Sequence, residues 1–325
     1  MASTRRQILQ WAGTAAAALI APTRAFALDY PTRPVRLIVP YAPGGAADIT
    51  ARLIAQWLTD QLGQSFVVEN RPGAGSNLAT EAVVTAPPDG YTLLLINAGN
   101  AINATLYKKL SFNFIRDIVP VGSLIRAPHM LFVTPSFPPK TVAELIAYAK
   151  ANPGKVSYAS AGTGNANHVA AEMFKMMTGI EMVHVPYRGG APALIDLVGG
   201  RVQVMFADTL TAGEQLKGGL IRALAVATPQ RSPVLPDAPP ISDTVPGFDA
   251  SSWWGIGAPR GTPEEIVNKL NQSINAGLAD PKLRARFADM GAQIIGGSPA
   301  DFGKMIADET DKWGKVVKFA GASAE

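Results

Sequence analysis

Leu37-Ile-Val-Pro-Tyr-Ala-Pro-Gly-Gly-Ala-Ala-Asp48 is the stretch whose reading decides the fold. An apolar run, Val35 to Val39, leads into it, as a strand buried on both faces of a parallel sheet would. Pro40 and Pro43 stop the strand, Gly44-Gly45 turn the chain, and a helix is expected from Ala46. Ile49, Leu53, Ile54, Trp57 and Leu58 keep helical spacing, and Gly63 ends the helix. A strand, a glycine turn and a helix start make an anion site. Unpaired N–H groups and the positive end of the helix dipole point the same way there.

The pattern repeats outward. Ser65–Glu69 reads as a strand before the glycine turn at 70–77, and Tyr91–Ile96 as a strand running into Asn97-Ala-Gly-Asn100. Further strands are expected at Ile118–Ile125, Met130–Val133, Lys155–Ala159, Glu181–Val185, Val202–Phe206, Arg222–Ala227 and Trp253–Ala258. Thr141 and Glu144 form a capping box, and Thr262-Pro263-Glu-Glu265 combines a cap, a first-turn proline and a reciprocal Glu. Pro192 sits where a first helical residue belongs. Alternating strands and helices predict an α/β fold. With 325 residues, two domains are expected. The chain reads as ending in helices only, which must pack on a sheet built earlier, so the first domain is discontinuous.

Arg5-Arg6, the apolar stretch Ile8–Ala21 and Ala25-Phe26-Ala27 form an export signal over residues 1–27, cleaved after Ala27. Thr4–Gln10 resembles a twin-arginine signal; a Sec signal with two arginines is the alternative. The net charge is +4, and removing the three arginines of this segment leaves +1. A nucleic-acid surface is therefore not supported. With no cysteine, disulfides and thiol chemistry are excluded.

Enzyme chemistries fit poorly. Gly162-Thr-Gly164 has the context of a dinucleotide loop, but Asn167 stands where Gly or Ala is needed. Ser160, His168 and Asp208 are the candidates for a hydrolase triad, yet Ser160 lies in no Gly-x-Ser-x-Gly elbow. His129, His168 and His184 show no metal-ligand spacing. No cofactor, metal or catalytic residue is assigned. What remains is an anion site that occurs twice, at 39–48 and 158–168, with the two turns facing each other across a cleft. Hydrogen bonds to a charged group contribute about 1.5–3 kcal/mol each. Helix ends add roughly 0.3–1 kcal/mol. After desolvation and ordering, micromolar binding near about −8 kcal/mol is reasonable.

Five motifs, in order, carry a family resemblance: Pro40–Asp48, Glu69–Gly75, Pro88–Thr92, Tyr158–His168 and His184–Gly189. Over residues 30–321 the chain resembles the Bug family, the TctC-like extracytoplasmic solute receptors of tripartite tricarboxylate transporters. The resemblance implies a periplasmic, type II-like binding protein of two lobes with the ligand cleft between them. It implies lobe 1 over 28–127, lobe 2 over 128–252 and the completion of lobe 1 over 253–325, with crossings near 126–133 and 250–258.

It also implies a site at Tyr41, Gly44, Gly45, Ala46 and Asp48, at Asn97, Ala98 and Asn100, and at Ser160, Ala161, Gly162, Thr163, Gly164, Asn165 and His168. Asp208 would lie at the far end. Asp48 reads equally as a structural first-turn acid, and Arg188 as a structural or surface residue rather than a clamp. Ala46-Ala47 stand where the family often has a hydroxyl or proline, so a solute less polar on that side is expected. Tyr41, Phe206 and Trp254 are candidates for an aromatic wall. The implied partners are a small di-, tri- or aromatic carboxylate and the transporter's membrane permease subunits, with the receptor a monomer. A ligand sensor serving a membrane partner, and a periplasmic hydrolase, are the rival readings.

Overall fold

The apolar runs assemble into two sheets. The computed structural model describes residues 29–319; the export signal expected over 1–27 lies outside the described residues. In the first sheet, β1 (Val35–Val39) runs parallel to β2 (Phe66–Asn70) on one side and β3 (Thr92–Asn97) on the other. β10 (Ser251–Pro259) pairs antiparallel with β3, then β4 (Ile118–Pro128) with β10, and β11 (Gln293–Ile294) with the outer edge of β4. All six residues of β3 are buried, as its unbroken Leu-Leu-Leu-Ile requires of a central strand. The second sheet has the order β7 (Val183–Pro186), β6 (Ser157–Ser160), β8 (Val204–Ala207), β5 (Met130–Val133), β9 (Arg222–Val226). β5 is antiparallel to both neighbours.

Helices cover these sheets. Those in the first half are α1 (Ala46–Leu62), α2 (Asn77–Val84), α3 (Ala98–Leu106), α4 (Phe114–Asp117) and α5 (Val142–Ala151). The rest are α6 (Ala166–Thr178), α7 (Gly190–Val198), α8 (Thr209–Lys217), α9 (Glu264–Ala279), α10 (Pro281–Asp289) and α11 (Pro299–Phe319). α1 ends as its glycine requires, with Gly63 left-handed at φ 72°. The C-terminal helices return to the first sheet. Trp57 Nε1 on α1 donates to Ser273 O on α9 at 2.8 Å. Phe302, Ile306 and Trp313 of α11 join Ile38, Leu94 and Trp253 in one buried cluster. Each fully buried side chain of this size stabilises the fold by roughly 1.5–3 kcal/mol.

Three local expectations are corrected. The chain does not end in helices alone, because β11 intervenes and pairs Ile294 with Ile125. Its two residues are too short to leave an apolar run. Pro192 is the third residue of α7, not the first, since the helix already starts at Gly190. Thr262 does not cap α9: its hydroxyl donates to Pro259 O at 2.8 Å, and Pro263 takes the cap position without a side-chain bond. The capping Thr141 behaves as expected toward Glu144 N at 3.1 Å, but Glu144 reaches back to Lys140 N.

The chain passes from the first sheet to the second at His129 and returns between β9 and β10. The two crossings lie side by side. Ala227 N donates to His129 O at 2.8 Å, Ala250 N to Ala227 O at 2.7 Å, and His129 N to Ala250 O at 3.3 Å.

Candidate functional site

Between the two sheets lies a cavity of about 40 Å³, room for about three waters. Five helix starts converge on it. Gly45, Ala46 and Ala47 come from α1, Asn97 and Ala98 from α3, Asn165 to Asn167 from α6, Gly190 from α7, and Asp208 and Thr211 from α8. The first-turn N–H groups of a helix have no intrahelical acceptor, and the dipole makes that end positive. Three of the helices carry side-chain caps. Asn97 Oδ1 accepts from Gly99 N at 2.8 Å, Asn165 Oδ1 from Asn167 N at 3.0 Å, and Asp208 Oδ1 from Thr211 N at 2.9 Å. The other two, α1 and α7, begin at Gly45 and Gly189 with no side-chain cap. Their starts meet, and a Cβ built on Gly45 would stand 3.5 Å from Gly190 N.

No lining residue is Lys or Arg. The main-chain dipoles of the helix starts are therefore the positive groups that face the cavity. Its ionisable side chains are Tyr41, His129 and Asp208. Burial pushes Tyr41 up to about 12; its hydroxyl donates to Asn97 Oδ1 at 2.8 Å and lies 2.8 Å from Ser76 Oγ. Burial pushes Asp208 up to about 6 and His129 down to about 3. Two hydrogen bonds hold the halves together beside the cavity: Ala42 N to Arg188 O at 2.9 Å and Ala46 N to Thr211 Oγ1 at 3.1 Å.

Eight of the sixteen expected site residues line this cavity: Tyr41, Gly45, Ala46, Asn97, Ala98, Ala161, Asn165 and Asp208. The other eight stand outside its wall, each for a visible reason. Gly44 N is taken by Asp48 Oδ2 at 3.0 Å. Asp48 thus serves as its own helix's anion, with Arg52 at 2.9 Å and Asn70 at 3.0 Å on its carboxylate. Burial raises its pKa, but those bonds outweigh burial and leave it below the ordinary value. Asn100 Oδ1 accepts from Asn97 N at 3.0 Å.

In the second turn, Ser160 is fully buried and its Oγ lies 2.6 Å from His184 Nε2. His168 Nδ1 accepts from Gly164 N at 3.3 Å, and its ring stacks on His184 with centroids 4.2 Å apart. His184 in turn stacks on Tyr158 at 4.9 Å. Ser160 is thus paired with His184 rather than His168, and Asp208 is on the cavity while both are not. Gly162 and Thr163 border a separate open cleft of about 510 Å³ beside Pro72 to Ser76.

Of the aromatic candidates, Tyr41 and Trp254 line the cavity; Trp253 borders it too, but its indole packs on Phe302 and donates to Glu309 in the core of the first sheet. Phe206 does not line the cavity. It packs on Phe174 and Phe248, with centroids 5.8 and 5.9 Å away, while Met205 and Ala207 line the cavity. Strand alternation puts neighbouring residues on opposite faces. Arg188 is exposed. Sequence reasoning missed His129, Gly190, Thr211 and Ser252. Of these, Gly190 had a signal, because Gly189-Gly190-Ala191 repeats Gly44-Gly45-Ala46 after a strand.

A family model described as tripartite tricarboxylate transporter family receptor, TctC, matches residues 50–322. A solved R. palustris protein with adipate is 41% identical, covering 91% of this chain and 99% of that one, with a TM-score of 0.88. The periplasmic binding protein BugD is 36% identical over 91% of this chain and all of its own, also at 0.88. MatC from Rhodopseudomonas palustris, solved with bound malate, is 34% identical over 89% of this chain and all of its own, at 0.86. Among curated relatives, BugT of Bordetella pertussis is 36% identical over 95% of both chains. The two-sheet α/β architecture, the cavity between the sheets and these likenesses agree: the chain belongs to the TctC family of periplasmic solute-binding proteins, the tripartite tricarboxylate transporter receptors.

Proposed function

We propose that this protein captures a small carboxylate in the interlobe cavity and hands it to the permease of a tripartite tricarboxylate transporter in the periplasm. The lobes are the two sheets with their helices, bounded near residues 127 and 252. The observation that carries the reading is the meeting of two helix starts without an N-cap side chain, α1 and α7, at a cavity lined by no Lys or Arg; Thr211 Oγ1 takes only the first N–H of α1. A carboxylate supplies the missing cap to both. It also gains more in the closed state than in the open one, which is what drives closure. Trp254 offers apolar surface to the rest of the solute. Solved relatives with adipate and malate support a carboxylate guest. A hydrolase is disfavoured by the full burial of Ser160, which is paired with His184 and does not line the cavity.

The test is a thermal-shift panel headed by adipate and malate, with aromatic carboxylates, amines and neutral sugars. A carboxylate at a hundred times its Kd stabilises by about 2.7 kcal/mol. A shift with amines or sugars and none with any carboxylate would overturn the proposal.

A further inference from the structure

We infer that His129 contacts the solute through Nδ1, offering it to a second polar group, so that the site favours carboxylates bearing a hydroxyl, oxo or further carboxyl group over those with a plain hydrocarbon remainder. This rests on the carboxylate reading above and narrows it.

His129 occupies the first crossing between the sheets, and its main chain is held on both sides by Ala227 and Ala250. The residue is 1% exposed, and its Nε2 lies 2.6 Å from Ser252 Oγ. Nδ1 is buried without a hydrogen-bond partner among the described residues. Three other buried side-chain atoms share that condition, on Thr50, Asn77 and Asn103, and none of those residues lines the central cavity. His129 does. Buried polar groups are nearly always paired, so an orphan on a cavity wall is a place kept for a guest.

Burial keeps the ring neutral at physiological pH. One nitrogen therefore donates and the other accepts, and the direction of the Ser252 bond decides which. The neighbouring register adds a second group. Met130 pairs with Ala207, so one step further along the two strands His129 comes beside Asp208, which also lines the cavity. A guest with only hydrocarbon at this end would leave His129 Nδ1 desolvated and unpaired, beside an Asp208 whose Oδ1 already accepts from Thr211 N. A site built to hydrogen-bond a group rejects analogues that lack it far more strongly than an apolar pocket rejects a size change.

Two isosteric variants separate a solute contact from a structural role. Gln at this position reaches the Nε2 place and Ser252 but has no polar atom at Nδ1. Asn does the reverse. Calorimetric titration is run on wild type, His129→Gln and His129→Asn with three pairs: adipate and hexanoate, malate and butyrate, terephthalate and benzoate. The first member of a pair is expected to bind wild type at least about tenfold more tightly. His129→Gln should cut that preference by about tenfold or more while the binding of the second member is unchanged, and His129→Asn should retain most of it. An intact preference in His129→Gln, or no preference in wild type, overturns the inference and leaves carboxylate binding standing. Binding by none of the six, nor by any other carboxylate, overturns both together.

Discussion

Gly45→Val tests whether the meeting of α1 and α7 is the closed state of a receptor. Gly45 is extended, at φ −90° and ψ 174°, so a side chain there strains no backbone. Its Cβ would stand 3.5 to 3.7 Å from Gly190 and Ala191 main-chain atoms, an ordinary contact that Ala tolerates. Valine adds two methyl groups that fill two of the three staggered directions, and the α1 start then approaches α7 only by displacing it. The lost closed-state interactions are Ala42 N to Arg188 O, Ala46 N to Thr211 Oγ1, and one N–H bond from α1 to the carboxylate. Two neutral bonds at about 1 kcal/mol each and one charge-assisted bond at about 1.5–3 kcal/mol sum to roughly 4 kcal/mol, near a thousandfold in Kd. The unliganded protein loses only the small N-cap preference of glycine over valine, about 1 kcal/mol, or a few degrees of Tm. Calorimetric titration of Gly45→Ala and Gly45→Val with the carboxylate giving the largest thermal shift reads the effect. Wild-type affinity in Gly45→Val would refute the reasoning.

Other expectations concern stability. Asp208→Asn keeps an N-cap, since Asn caps as well as Asp, and removes a carboxyl raised from 3.8 to about 6 by burial. An acid with a raised native pKa loses stability as pH rises from 3.8 to 6, so at pH 7.5 the variant should be more stable by about 3 kcal/mol in urea melts. Burial has the opposite sign for His129 and His168, lowered to about 3 and 4. The unfolded chain takes up their protons below pH 6.5 and the native state does not, so the urea midpoint should fall from pH 6.5 toward pH 4, more steeply in Asp208→Asn. Glu309 Oε2 accepts from Trp253 Nε1 at 3.0 Å and Trp313 Nε1 at 2.8 Å. Glu309→Ala should cost about 3 kcal/mol by leaving both indoles unpaired, and Glu309→Gln, which keeps an acceptor, clearly less.

Much of this was legible from local pattern. Unbroken apolar runs marked the buried strands, and the glycine turns at 44–45 and 162–164 marked helix starts that come to the interlobe region. Local pattern does not tell which N–H groups are already used. Asp48, Ser160 and His168 consume those of Gly44, Gly162 and Gly164, and these six residues stand outside the cavity wall. Nor does it give parity at a strand end, where Phe206 turned to the core and Met205 and Ala207 to the cavity. His129 and Ser252 lie 123 positions apart and meet only because both strands cross between the sheets at one place. The α7 start was hidden by Pro192, which drew the helix boundary two residues too late.

The most direct measurement compares the tightest-binding carboxylate with its primary amide, a neutral group of the same shape, by calorimetric titration at low ionic strength. If uncapped helix starts and no cationic side chain hold the guest, the amide should bind about a hundredfold more weakly or worse. Equal affinity for acid and amide would contradict the account, because nothing in it lets the cavity accept the neutral group as well as the charged one.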